Sequence, residues 1–381
     1  MSNVQTEESA SARSTVFTRS LVAEIISNLT LAKYQIQTAV SFLLLAKMEE
    51  WLESGYTGAL VYAWFRLGKT CGCLWVLKKL SDFLGYHIGF IHVNCRDGLP
   101  DERQKFFRYL LENTGNQHIL QIRGEDNIRT AFENFIIAEA KKSPVRTFIV
   151  FFDEAQQLIE EQYGWMREVD NAVTKAGCRQ FTLYEGDNNL RKSKEYLIDN
   201  GKEQVVTRNM IGEFVYRGLE SGEHIIEGFR KEREAPEAEL VEVLEGLVSL
   251  ETDVGSGLSI RAIYKMAGGI VLDVPSLGKK MWAEFASQWR QSGLGELELA
   301  MAYLCISLSR ICSRARKKGW VSQPSADDIK WSIDGSGFHD CIAIRRKHRT
   351  APPHPAPIEI RAGLAAKLRV KAGANVNAAG S

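Results

Sequence analysis

The chain has 381 residues, 45% hydrophobic and 25% charged, an ordinary make-up for a globular protein and long enough to bury a core without disulfides or structural metal. Its 48 Lys and Arg offset 47 Asp and Glu, and the resulting net charge of +1 excludes a strongly basic nucleic-acid-binding domain as the whole of the protein. The balance is uneven, because residues 342–381 hold eight Lys or Arg against one Glu and leave the body before them at −6.

In chain order, residues 1–15 are rich in Ser, Glu and Thr and are expected to be disordered. They lack the charged-then-apolar order of a signal peptide. Leu21, Ile25, Ile26, Leu29 and Leu31 predict a helix from about Val16, and 35–52 a second. Residues 58–63 read as a short buried strand, 69–84 as a helix, 86–94 as a strand and 101–113 as a helix. The stretch 127–142 is helical up to Ser143-Pro144, 146–152 is almost purely β-forming, 157–176 is helical, and 179–184 is a further strand. This alternation implies a parallel sheet covered on both faces. After Val215 the pattern is all-helical, with segments at 237–250, 258–266, 276–291, 296–318 and 326–334.

The expected organisation is therefore a disordered N-terminus (1–15), an N-terminal helical segment (16–54), an α/β core (55–220), a helical lid (221–341) and a basic, Pro- and Ala-rich disordered tail (342–381). No apolar run reaches the ~18 residues of a membrane helix. Seven irregularly spaced cysteines suit neither a disulfide framework nor a zinc pair, and a cytoplasmic setting is expected.

The sharpest motif is Ala63, Trp64, Phe65, Arg66, Leu67, Gly68, Lys69, Thr70, followed by Cys71. It departs from the phosphate-loop pattern Gly-x4-Gly-Lys-Ser/Thr in its first residue, Ala63. Such a loop turns backbone N–H groups and a helix N-terminus toward phosphate. Lys69 is expected to meet the β- and γ-phosphates of ATP, and Thr70 to hold Mg²⁺. A second motif lies 83 residues after Thr70, where six β-formers end in Asp153 and Glu154. A buried strand delivers Asp153 toward Mg²⁺, and Glu154 is placed as the base for attacking water.

These motifs, with Ala155-Gln156-Gln157-Leu158, the strand at 181–184 and Gly186-Asp187-Asn188-Asn189-Leu190, resemble an AAA+ ATPase. More narrowly they are similar to the ATP-dependent regulators of bacterial transposition, the TnsC/TniB type, with MuB as a cousin. Thr207-Arg208 precedes the segment 213–219 where that group carries an arginine, and the resemblance spans about residues 20–335. It implies an α/β fold: a P-loop AAA+ core, its parallel sheet flanked by helices, with an N-terminal helical segment and a C-terminal helical lid. It implies Asn188 as the sensor beside Asp187, and Arg208 as a residue reaching the γ-phosphate on a neighbouring subunit, with a surface salt bridge as the alternative for Arg208. It further implies a homo-oligomeric ring or filament around double-stranded DNA, held by backbone contacts, that recruits a transposase. Arg261 is one candidate for a second sensor, with a surface residue of a lid helix as the favoured alternative.

Outside the motifs, Arg96, Arg103 and Lys105 read as a solvated helix face with DNA contact as the alternative. Arg310, Arg314, Arg316, Lys317 and Lys318 form a basic helix end suited to phosphate backbone or to the helix C-terminus. Arg345, Arg346, Lys347, His348 and Arg349 read as a solvated disordered run. Trp165, Trp282 and Trp331 read as core, and His87, His92 and His118 have no metal spacing. Two other functions stay open: an AAA+ scaffold that binds nucleotide without turnover, suggested by bulky Trp64-Phe65, and a signalling or defence P-loop NTPase.

Overall fold

The run of β-formers ahead of the paired carboxylates is strand β3 (Thr147–Asp153), and each of its residues is buried. A strand with partners on both sides and helices over both faces has no solvent side, so its sequence does not alternate. The computed structural model describes residues 23–24, 38–95, 98–115, 124–220, 237–251, 259–294 and 297–347. The expected disordered N-terminus, most of the first helix, Arg96, His118 and everything beyond Lys347, including His348 and Arg349, lie outside the described residues.

Two compact units emerge. One comprises Val40–Phe65 and Gly72–Tyr216; the other comprises Arg66–Cys71 and the described residues of Arg217–Ser381. In the first, β3 belongs to a five-stranded parallel sheet with β1 (Gly58–Tyr62), β2 (Gly89–Asn94), β4 (Arg179–Gly186) and β5 (Gly212–Val215). The order is β2-β3-β4-β1-β5, so β4 is inserted between the strand that leads into the phosphate loop and the strand that ends in the carboxylates. The registers set Asn94 opposite Asp153, and Gly186 opposite Tyr62, along the carboxyl edge.

Helices α1 (Ala39–Glu53), α2 (Lys69–Leu84), α3 (Arg103–Glu112), α4 (Glu125–Ala140), α5 (Glu160–Lys175), α6 (Asn188–Asp199) and α7 (Glu203–Asn209) accompany the sheet. One buried cluster joins Phe106, Phe107 and Leu110 of α3, Phe132 and Ile136 of α4, Val150 and Phe152 of β3, and Tyr184 of β4. Phe152 stacks on Tyr184 with centroids 5.5 Å apart, and Trp51 of α1 stacks on Phe181 at 6.4 Å. Each large side chain so buried contributes about 1.5–3 kcal/mol. Helix α5 begins at Glu160, later than the expected 157, because Gln162 reaches back to accept the Ile159 N–H at 3.0 Å and caps the helix there. Residues 155–157 form a separate 3-10 turn.

In the second unit, α8 (Ala238–Ser249), α9 (Ile260–Gly268), α10 (Val274–Arg290), α11 (Met301–Lys317), α12 (Ala326–Asp334) and α13 (Phe338–Lys347) surround a core that includes Phe338, which Phe285, Trp289 and Tyr303 contact at 4.9–6.1 Å. Three expectations are corrected here. The stretch after Val215 is not purely helical: β6 (Leu219–Glu220) pairs antiparallel with β7 (Glu298–Leu299), and this ladder delays α11 to Met301. The basic tail does not begin at 342, because α13 continues through Lys347. Arg345 is buried, 3.1 Å from Glu298, and Arg346 caps the end of α10 through the Gln291 and Ser292 carbonyls. Trp331 is not core: it is 41% exposed, with the Arg310 and Arg314 guanidinium carbons 4.1 and 5.0 Å from its ring centre. Trp282 is buried as expected, and Trp165 is partly buried against Phe106. No helix among the described residues is long and apolar enough to cross a membrane.

Candidate nucleotide site

The loop after β1 starts with Ala63, whose N–H donates to the Gly186 carbonyl at 3.3 Å. Trp64 and Phe65 follow as a T-shaped, partly buried pair with centroids 5.9 Å apart. The bulky pair therefore packs on itself. In the rest of the loop, Arg66 (φ 64°) and Gly68 (φ 95°) are left-handed. Gly68 adopts that backbone freely, whereas a non-glycine such as Arg66 is held there at a cost of about 1–3 kcal/mol. What holds it comes from the start of α11, more than 230 residues on: the Arg66 carbonyl accepts the Ala302 N–H at 3.5 Å, and its guanidinium lies 6.0 Å from the Tyr303 ring centre. Leu67 is 1% exposed and anchors the turn. Lys69 is buried and opens α2, whose first turn carries no acidic side chain to cancel the helix's positive end. Thr70 and Cys71 follow, partly buried. Burial first, then Cys71, pushes the neighbouring Cys305 thiol up to about 12.

At the carboxyl edge of the sheet, Asp153 is 6% exposed at the end of β3. Its Oδ2 lies 3.2 Å from His92 Nε2, and His92 stacks on Phe151 with centroids 5.0 Å apart. Sequence reading passed over His92 because its partner is 61 residues away and reaches it only through the β2–β3 register. Burial first, then Asp153, pushes the Cys95 thiol far up, and its N–H donates to the Asp153 carbonyl at 2.8 Å. Glu154 is left-handed (φ 59°, ψ 41°), a conformation rarely kept by a non-glycine residue unless the surroundings impose it. Gln156 bonds to the Glu154 carboxylate. Across the β3–β4 edge, Asp187 caps α6 by accepting the Asn189 N–H at 2.8 Å. That leaves Asn188 at the first helical position, with its Oδ1 buried and making no hydrogen bond. An N-cap Asp followed by Leu190 and Leu197, seven apart on the buried face, was the signal that would have placed α6.

Arg208 lies on α7 and is half exposed. It hydrogen-bonds Asn171 and stands 3.7 Å from Asp170, which is 3% exposed. Burial raises the Asp170 carboxyl and Arg208 partly restores it. A carboxyl raised above its unfolded value favours the fold at low pH and loses that contribution as pH rises through the folded pKa. Arg208→Ala removes the restoring charge, so it should cost roughly 1–3 kcal/mol at pH 7. That deficit should shrink on acidification and be absent in an Asp170→Asn background. Urea unfolding at two pH values checks it, and a loss that is independent of pH would refute it. Several of the other basic candidates are paired within the chain: Arg103 with Glu168, Lys105 with Glu102, Arg261 with Glu245, and Arg314 and Lys318 with Asp328.

The donor set suits a nucleotide and a magnesium ion. In one unit a glycine-turned loop carries a buried lysine at a helix start; in the other, a buried Asp and an Asn with an unused acceptor stand at the carboxyl edge of the sheet. Among the described residues no group of three or more His, Cys, Asp or Glu is placed to hold a metal.

No family model matches the chain, and no curated protein matches its sequence. Solved structures do share its architecture. The Aeropyrum pernix ORC2 protein in its ADPNP–ADP complexes aligns at 13% identity over 84% of this chain and 81% of that one, with a TM-score of 0.53. The ADP form of the same protein aligns at 11% identity over 87% and 83%, with a TM-score of 0.52. At such identities the likeness establishes the fold. That fold is an α/β architecture with a parallel five-stranded sheet flanked by helices, β4 inserted between β1 and β3.

Proposed function

We propose that the chain is an ATP-binding and ATP-hydrolysing AAA+ switch whose nucleotide state governs its hold on double-stranded DNA, and, more narrowly, a regulator of transposition that recruits a transposase. The observation that carries the ATPase reading is the pair Asp153–Glu154 at the buried end of β3, one strand away from the turn that bears Asn188. The neighbouring ORC2 protein, solved with ADPNP and ADP, supports a nucleotide as the ligand. The transposition reading is supported by the motif Asp153-Glu154-Ala155-Gln156 with Asn188 and Arg208 at their spacings.

In this mechanism Ala63, Arg66, Leu67, Gly68 and Cys71 shape the phosphate loop, and Lys69 binds the β- and γ-phosphates. Thr70 and Asp153 would hold a magnesium ion, which would supply charge neutralisation at the phosphates. Glu154 takes the proton of the attacking water, and Asn188 orients that water. Arg208 acts on the nucleotide of an adjacent copy, exchanging its Asp170 partner for phosphate. Repeated copies along DNA multiply weak backbone contacts, so a body without net positive charge still binds.

The test is DNA binding by the purified full chain with no nucleotide, ADP or a non-hydrolysable ATP analogue, at two salt concentrations. The analogue should tighten binding at least tenfold, in a salt-dependent manner, with rings or filaments visible by electron microscopy. Binding that ignores nucleotide sinks the switch. A scaffold without turnover is the second reading, motivated by Trp64-Phe65 within the loop. Phosphate release that disappears in Glu154→Gln excludes it.

A further inference from the structure

The side chain of Gln156 joins two parts of the site that the chemistry above treats separately. Its Nε2 donates to Glu154 Oε2, and its Oε1 accepts the Asp187 N–H at 3.3 Å. Gln156 lies on the 3-10 turn entered through left-handed Glu154, and Tyr163 pins that turn by donating its hydroxyl to the Ala155 carbonyl at 3.0 Å. A carboxamide has one accepting end and one donating end. The Asp187 N–H takes the oxygen, so the nitrogen is left to face the carboxylate. Space for the amide depends on Gly186: a Cβ built there would lie 2.2 Å from Gln156 Oε1 and 3.3 Å from its Cδ.

We infer that Gln156 is a positioning residue for Glu154, and through it for the water attacking ATP, an assignment that rests on the ATPase reading above. The amide occupies one carboxylate oxygen and restricts the rotation of the side chain, so the other oxygen has a defined direction. The same amide ties Glu154 to the β4–α6 turn, where Asn188 stands two residues beyond Gly186 with its Oδ1 unbonded. Any contact that shifts this turn therefore shifts the base as well. Asparagine at 156 is one methylene too short to reach both partners.

The experiment measures ATP hydrolysis by the full chain in the presence of DNA for the unaltered protein, E154Q, Q156E, Q156A, G186A and the double variant Q156A/G186A. Q156E keeps the length and an oxygen for the Asp187 N–H, but it replaces the donor with a second carboxylate oxygen. Its kcat should fall roughly 10- to 100-fold with KM for ATP within about twofold. G186A pushes chiefly on the flexible end of Gln156, and more lightly on Leu190 Cβ at 3.2 Å, and should lower kcat in the same direction. Because the 2.2 Å clash with Gln156 disappears in Q156A and leaves only the milder 3.2 Å approach to Leu190 Cβ, G186A should lower kcat by a smaller factor on top of Q156A than on the unaltered chain. Losses that simply multiply overturn the assignment, as does a Q156E effect confined to KM. Turnover that vanishes in E154Q but is normal in Q156E overturns the assignment alone. An unaltered chain that releases no phosphate overturns the ATPase reading and the assignment with it.

Discussion

Glu154→Gln should reduce steady-state phosphate release by roughly 10²- to 10⁴-fold, the usual worth of a positioned general base. Affinity for ATP should stay within about threefold, because the change is isosteric and leaves the charge of Lys69 in place. Glutamine tolerates the left-handed backbone at 154 no better and no worse than glutamate, and its amide can still bond Gln156. Fold stability should therefore be unchanged, and the thermal transition of the variant is the control. On the proposed cycle the variant also stays on DNA, since hydrolysis is the release step. A DNA complex formed with ATP should decay slowly in E154Q and quickly in the unaltered chain. Equal decay rates would separate hydrolysis from DNA release and remove the switch.

Lys69→Ala should have its largest effect on binding. A charge-assisted hydrogen bond is worth about 1.5–3 kcal/mol, which weakens ATP by roughly tenfold to 150-fold. Thermal stabilisation by ATP gives a direct reading. At about 100 times Kd a ligand raises stability by about 2.7 kcal/mol, whereas a variant weakened a hundredfold keeps only about 0.4 kcal/mol at the same concentration. Loss of the ATP-induced shift with an unchanged transition in the free protein is the expected result. Retention of the full shift would mean that the loop does not hold the phosphates, and would move the nucleotide site elsewhere.

Much of the core was legible because its signals are local. Helix α2 occupies Lys69–Leu84 as the sequence predicts, and α12 likewise Ala326–Asp334, the latter marked by Ser325 and Asp328 in a reciprocal cap. Strand β3 was readable because full burial writes an unbroken apolar run. Less legible were α6 and α7, whose few apolar positions are separated by charged residues. The pair β6–β7 was illegible, since two strands of two residues carry no periodicity and are defined by their distant partner. Trp331 was misread because helical spacing shows which residues share a face without showing whether anything covers it.

The sequence by itself determined the Gly68-Lys69-Thr70 motif, the carboxylate pair, the alternation that demands a parallel sheet, and the near-zero net charge. Each is written in adjacent residues, in a short period or in composition, and so needs no knowledge of long-range contacts. Only the tertiary structure decided that β4 lies between β1 and β3, that His92 stands against Asp153, that Arg208 is held by Asp170 and Asn171, and that Gln156 spans from Glu154 to the β4 turn. These depend on strand order and register, which are set by the burial of whole faces and leave no trace in any single stretch of sequence. The same holds for charge. The near-zero total is a property of composition, but which arginines are free to meet a phosphate is settled by their carboxylate neighbours in the fold.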